Sequence, residues 1–267
     1  MKTCVLAIAA EFEKPYIDEW AGWHWQLGFD DIWVVTNNWD MEGGEDYLKT
    51  YRRDGKVIQL QVYNEWFEKH KNEYDWVLVC DLDEFLYIPG DLKAFLEDHA
   101  KDYCLGVPWV HFGDGGEGTP TEGSVIDRFQ RCEGLYNKHV KPLLNTRLLS
   151  QVNRIFFVNP HFACIQTGAL SSHGVGGIWL PWTDIFGKPS NGPYNQFEGH
   201  TIDKSRPFLM HFYCKSLEEW RKRRGPEHIR ADCNQYVTED WFHKENHNEV
   251  EFTEAFEMRQ RWLKKDV

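Results

Sequence analysis

Continuous apolar runs alternate with helix-patterned stretches through the first 80 residues, and this alternation constrains the fold more than any other feature. Thr3–Ala9 (TCVLAIA) is apolar almost throughout, the pattern of a strand buried on both faces. Residues 11–28 follow with Tyr16, Ile17, Trp20, Trp23 and Leu27 at helical spacing, Pro15 in the first turn and Gly28 at the stop. A second strand is expected at 31–36 (DIWVVT), a short helix at 45–53, a third strand at 56–60, a polar helix at 66–74 and a fourth strand at 76–80. Strands joined through helices imply right-handed crossovers and a mostly parallel sheet. Ligands of such sheets gather at the carboxyl ends of the strands. Three polar clusters fall there: Glu11 after the first strand, Asn37 to Asp40 after the second, and Asp81 to Glu84 after the fourth.

The remainder is less regular. A helix capped by Asp91 is expected at 91–99, strands at 103–112, 124–130, 140–144, 152–158 and 208–214, and helices at 217–230 and 250–264. Residues 168–207, rich in Gly, Pro, Ser and Asn, read as a long binding loop. The 267 residues suit one domain, 1–267, with a nucleotide-type half at 1–100 and an irregular half at 101–267. A net charge of −12 argues against a broad nucleic-acid surface. No stretch approaches the length of a transmembrane helix, and the short apolar run after Lys2 suits a first strand better than a signal peptide. Seven cysteines without a C-x-x-C pair read as reduced thiols, which places the chain in the cytoplasm or peripherally on a membrane. Each of the 13 tryptophans is expected in packing, but as a set they favour a ligand with flat apolar faces, such as a sugar.

The fourth strand runs without a break into acids: DWVLVCDLDEFLYI, residues 75–88. On a strand Asp81 and Asp83 share one face and Glu84 takes the other. Two carboxylates on one face repel unless a cation lies between them or one stays protonated. Oxygen ligands of this kind suit Mg²⁺ or Mn²⁺, usually completed by substrate phosphates. The plainer alternative is a solvated strand end. DLDEFL also resembles the D-x-D-G-T of haloacid dehalogenase-type phosphatases. Glu84-Phe85 replaces Gly-Thr, however, and that motif ends a first strand, not a fourth. Nucleotide-sugar glycosyltransferases of the A-type fold carry a D-x-D at this point in the strand order.

Four ordered stretches resemble the glycosyltransferase family 2 and family 92 type: EKPYIDEWAGWHWQLGFDDIWVVTNNWD, DWVLVCDLDEFLYIPGDL, WVHFGDGGEGTPTEGSVIDRF and HFYCKSLEEWRKRRG, spanning residues 11–225. The resemblance implies a single A-type domain: a Rossmann-like, mostly parallel sheet with a smaller mixed or antiparallel acceptor-side sheet. It implies a divalent metal, Mn²⁺ or Mg²⁺, and inverting transfer of a hexose from a nucleoside-diphosphate sugar, UDP-hexose favoured, to a glycan or glycolipid acceptor in polysaccharide biosynthesis. It implies that Asp81 touches the ribose or the metal and that Asp83 ligates the metal. The chain departs from the pattern at Ala10-Glu11-Phe12, where relatives carry Asn, and in the acids Asp114 and Glu117 of its glycine loop. The alternatives are the phosphatase and a carbohydrate-binding protein without catalysis.

The rear half supplies further candidates. Ser216 and Glu219 form a capping box, so a helix should start at Leu217 and present an anion-binding end beside Lys215. Arg221 and Arg223 read as a solvated helix face, and Arg224 as a candidate diphosphate contact. His211 could be the third metal ligand that A-type enzymes often take from a C-terminal histidine. Inversion needs a carboxylate base; Asp184 is favoured, then Glu198, with Asp114 and Glu117 as further options. Asn37 and Asp40 could bind base and ribose, and His161 and Lys141 read as supporting residues.

Overall fold

In the computed structural model, the described residues are 1–56, 58–116, 123–150, 154–171, 174–190, 194, 197–224 and 238–264, with side chains undescribed at 166–171, 174–179 and 224. The expected third-strand residue Val57, Glu117 and the expected helix beyond 224 lie outside this set.

The first strand, β1 (Thr3–Ala9), lies inside the sheet because nearly every side chain on it is apolar and buried. It pairs in parallel with β2 (Asp31–Asn37), which in turn pairs in parallel with β3 (Leu48–Arg53). On its other side β1 pairs in parallel with β4 (Trp76–Val79). The helices α1 (Ile17–Gln26) and α2 (Gln59–His70) supply crossovers, as the alternation predicts. After β4 come β5 (Glu84–Tyr87), α3 (Leu92–Asp98) and β6 (Cys104–His111). Asp91 caps α3, accepting the Ala94 N–H at 2.8 Å.

Then follow α4 (Val125–Arg128), β7 (Arg131–Cys132), β8 (Val140–Asn145) and α5 (Thr146–Leu149). An antiparallel three-stranded sheet is formed by β9 (Ile155–Asn159), β10 (Phe162–Ser171) and β11 (Gly174–Trp179). The chain continues through β12 (Trp182–Asp184), β13 (Pro189–Ser190) and β14 (Phe208–His211). It closes with α6 (Leu217–Arg224), α7 (Glu239–Glu245), β15 (Val250–Glu251) and α8 (Glu254–Leu263). The main sheet runs β13-β12-β6-β8-β4-β1-β2-β3. It is mostly parallel, with β8 antiparallel to both β4 and β6. β6 forks: residues 104–108 pair with β8, and Trp109 to His111 pair in parallel with β14. The fold is thus one mixed α/β domain with a second, antiparallel sheet, the class expected.

Three elements, β3, α2 and α4, depart from expectation. Residues 48–53 form the third strand and a helix begins at Gln59, whereas the pattern predicts a helix at 45–53 and a strand at 56–60. β3 is an edge strand, so Lys49, Arg52 and Arg53 stay partly solvated and its period is masked. Ser124–Gln130, expected as a strand, contains the short helix α4, whose first turn is satisfied by Ser124 Oγ and the Glu19 carboxylate. Part of the 168–207 loop is also ordered as strand, from the end of β10 through β13.

The tryptophans serve mainly as packing. Trp20 and Trp23 sit on the inner face of α1 and donate their indole N–H groups to the Glu84 and Leu86 carbonyls of β5, at 2.8 and 2.7 Å. His24 accepts the Leu86 N–H at 3.3 Å, and burial lowers its pKa to about 3, so it is neutral. These bonds fix β5 against α1, with each buried aromatic or aliphatic side chain contributing roughly 1.5–3 kcal/mol. The carboxyl ends of β1, β4, β6 and β14 share one edge of the sheet assembly.

Candidate metal centre

The apolar run of β4 stops at Val79. Cys80 still donates to the Leu6 carbonyl at 3.2 Å, and the chain then turns, with the Glu84 N–H on the Asp81 carbonyl at 3.0 Å. Strand alternation therefore does not apply to Asp81 and Asp83, and the expectation that they share a face is corrected. Asp81 turns to Lys141, whose Nζ lies 2.7 Å from Oδ2, and to Gln59, whose Nε2 donates to Oδ1 at 2.9 Å. Asp83 turns to the other side, into the space between β14 and α6. Its Oδ1 is 3.6 Å from His211 Nε2, its Oδ2 receives the Arg223 guanidinium, and its carbonyl accepts the Phe212 N–H at 2.8 Å.

Glu84, expected to face away, completes the cluster. It opposes His211 in the antiparallel β5–β14 register and is wholly buried. Asp83, Glu84 and His211 each present a ligand atom within 4.8 Å of the other two. Glu84 Oε2 accepts the Asp81 N–H at 2.9 Å, while Oε1 lies 3.6 Å from Lys141 Nζ. Among the described residues Glu84 Oε1 and His211 Nδ1 are buried without a hydrogen-bond partner. Two carboxylates and an imidazole with unspent acceptors fit a hard-to-borderline divalent cation.

Burial sets the charges. It pushes the Glu84 carboxyl well above the usual range, and Lys141 only partly offsets this. Burial also opposes ionisation of Asp83, but His211 and Arg223 outweigh it and hold Asp83 well below the carboxylate range. His211 is lowered to about 4 by burial despite Asp83, so at neutral pH it offers a lone pair. Lys141 is buried yet held charged: burial opposes the charge, and Asp81 and Glu84 override it. Lys215 is buried in a left-handed conformation (φ 51°), with Nζ 4.4 Å from the Tyr16 ring centre, and burial and Arg223 lower it to about 8. The capping box is present: Glu219 N–H donates to Ser216 Oγ at 3.2 Å and Ser216 N–H to Glu219 Oε2 at 3.1 Å. A cavity of about 380 Å³ opens beside Lys215 and Arg223, walled by Phe12, Tyr16, Val125 and Arg128.

Other expected site residues lie elsewhere. Asp184 is buried in β12 opposite Gly106, five residues from His111 along β6, or roughly 16 Å of strand. Its Oδ1 closes a turn, accepting the Phe186 and Lys188 N–H groups at 2.8 and 2.9 Å. Glu198 is exposed on the turn after Phe197. Asn37 donates to the Arg53 and Gly55 carbonyls and so ties β2 to the end of β3. Asp40 is exposed and pairs with Arg52 at 2.6 Å. Glu11 is exposed, and Glu13 turns inward in its place, accepting the Ala10 N–H at 2.8 Å. Burial and the nearby Asp83 raise Glu13 to about 7. Asp114 closes its own loop on the Gly116 N–H and Asn248. His161 rests on the Val140 carbonyl at 3.1 Å. Arg224 ends α6, and its side chain lies outside the described set.

Two residues at the centre, Arg223 and Glu84, depart from their reading in the sequence, and a third, Glu13, carries no expectation there. Arg223 is buried against Asp83, not solvated. A signal existed: it stands three residues after the buried Trp220 and four after Glu219, hence on the inward face of α6. Glu84 was misassigned through strand alternation. Glu13 was detectable only as the third residue after Ala10, in capping-box position.

No family model matches the chain, and no curated protein does. Among solved structures it is similar to HddC from Yersinia pseudotuberculosis, at 11% identity over 54% of this chain and 73% of that one, TM-score 0.33. It is similar to a putative glucose-1-phosphate thymidylyltransferase from Bacillus anthracis, at 10% identity over 55% and 73%, TM-score 0.32. A third is Rv0371c from Mycobacterium tuberculosis in complex with manganese, at 9% identity over 41% and 65%, TM-score 0.28. Likeness this partial carries no argument about activity.

Proposed function

We propose that the chain is a metal-dependent glycosyltransferase that moves a hexose from a nucleoside-diphosphate sugar to a glycan or glycolipid acceptor. The reading is supported by one juxtaposition. The buried Asp83, Glu84 and His211 group meets the cations Arg223 and Lys215 where the carboxyl ends of β4, β6 and β14 converge. Breaking a bond between an anomeric carbon and a diphosphate develops negative charge on the leaving oxygens, and fixed positive charge aimed there lowers the barrier. A divalent ion held by Asp83, Glu84 and His211 would supply Lewis-acid neutralisation of that charge.

The chain's own groups do the rest. Arg223 and Lys215 can turn to phosphate oxygens beside the cavity. Asp81, about one-third exposed and oriented by Lys141 and Gln59, keeps acceptor capacity for a ribose hydroxyl. Asp184 spends Oδ1 on a turn and lies opposite Gly106, away from the His111 end of β6, so it is not proposed as the base, and Glu198 has no described contact with the centre.

Calorimetric titration with UDP- and GDP-hexoses, with and without Mn²⁺, tests the reading. Binding that needs the metal is expected, together with loss of turnover in Asp83→Asn. A folded protein that binds no nucleotide sugar in the presence of Mn²⁺ refutes it.

A further inference from the structure

A second group of ligand-bearing side chains lies beside the first. His111, at the end of β6, stands next to His211 in the parallel β6–β14 register, with ring centres 5.0 Å apart. Its ring turns to Glu245, the last residue of α7, and to His247: one ligand atom from each lies within 4.8 Å of the others. His111 Nδ1 lies 3.2 Å from Glu245 Oε2, yet among the described residues neither ring nitrogen of this buried imidazole has a hydrogen-bond partner. A 5%-exposed imidazole with an idle nitrogen is costly unless something binds it.

The segment carrying the other two ligands is fixed in place. Asn246 Oδ1 accepts the Asp114 N–H at 2.7 Å, and Asn248 Oδ1 accepts the Gly115 N–H at 2.9 Å. Arg131 Nε donates to the Asn248 carbonyl at 2.8 Å, and β15 pairs with β7 just beyond. Gly113 permits this approach: a Cβ there would collide with the His247 carbonyl oxygen and the Asn248 side chain. His247 Nδ1 is oriented by Glu249 Oε1 at 3.0 Å, which leaves Nε2 for the cluster. A carboxylate behind a histidine in this way is the usual support of a metal-ligating imidazole.

We propose that His111, Glu245 and His247 bind a second divalent transition-metal ion, separate from the Asp83, Glu84 and His211 group. Two imidazoles and one carboxylate favour Zn²⁺ and its borderline neighbours over Mg²⁺, whereas the first group, richer in carboxylate, favours harder ions. With three protein ligands the ion would keep an open position. The site would tie α7 and the 245–249 segment to the end of β6.

The test is metal stoichiometry. Zn²⁺ is titrated into the full chain and into Asp83→Asn, His247→Ala and Glu245→Gln, with bound metal counted after gel filtration and folding checked by circular dichroism. His247 and Glu245 are part-exposed, so these variants are expected to fold. The wild type should retain two equivalents and each single variant one. Co²⁺ in Asp83→Asn should show a visible absorption spectrum that Asp83→Asn/His247→Ala lacks. Two equivalents kept by His247→Ala or Glu245→Gln, or none kept by Asp83→Asn, overturns the proposal.

Discussion

Arg223 closes on Asp83 from 140 residues further along the chain, so the carboxylate at the tip of the β4 turn is neutralised by a guanidinium from α6. The same carboxylate belongs to the candidate metal centre, and a divalent ion and Arg223 compete for it. In Arg223→Ala, Mn²⁺ measured without nucleotide should bind about tenfold more tightly, a gain of about 1.4 kcal/mol. Affinity for a nucleoside diphosphate should fall in the same variant. Calorimetry reads both, and unchanged Mn²⁺ affinity would show that the two cations do not compete.

Lys141 is wholly buried between Asp81 and Glu84. Removing one partner of a buried ionic cluster leaves uncompensated charge, so Lys141→Met should cost about 3–5 kcal/mol in urea unfolding. Glu84 already has a raised pKa and is expected to tolerate neutralisation. Lys141 keeps Asp81 when Glu84 is neutralised, so Glu84→Gln should cost less than Lys141→Met and should recover part of the loss when combined with it. Additive costs in the double variant would mean that the two groups are not coupled.

Glu13 gives a pH signature. Its folded pKa, about 7, lies above the unfolded value of 4.5, because of burial and then Asp83, with Arg223 and Lys215 opposing. A raised carboxyl contributes stability that is fully present below pH 4.5 and is lost as pH rises through about 7. The stability of wild type relative to Glu13→Gln should thus decline between pH 4.5 and 7 and level off above. Parallel curves for the two proteins across that window would remove Glu13 from the buried electrostatics of the centre.

Gly113 is closely covered by His247 and Asn248. Gly113→Ala should force the 245–249 segment away and destabilise the fold by about 1–3 kcal/mol, the usual cost of overpacking. Zn²⁺ stoichiometry should drop by one equivalent in the same variant while Mn²⁺ binding at Asp83 persists. A wild-type melting temperature would mean that the loop yields without cost.

Much of the architecture was legible because local periodicity reports burial. Thr3–Ala9 and Trp76–Val79 are apolar on both faces and lie inside the sheet, and the Asp91 and Ser216 caps are where their hydrogen bonds require them. β3 was not legible, since an edge strand with solvated Lys and Arg carries no such period. The sequence by itself determined the parallel sheet, the acidic end of β4 and the start of α6. Only the tertiary structure decided how those acids divide, with Asp81 to Lys141, Glu84 between Lys141 and His211, and Asp83 to His211 and Arg223. The reason is that a turn after Val79 ends the two-residue alternation, and beyond it Asp81 meets Lys141 60 residues away and Asp83 meets Arg223 140 residues away.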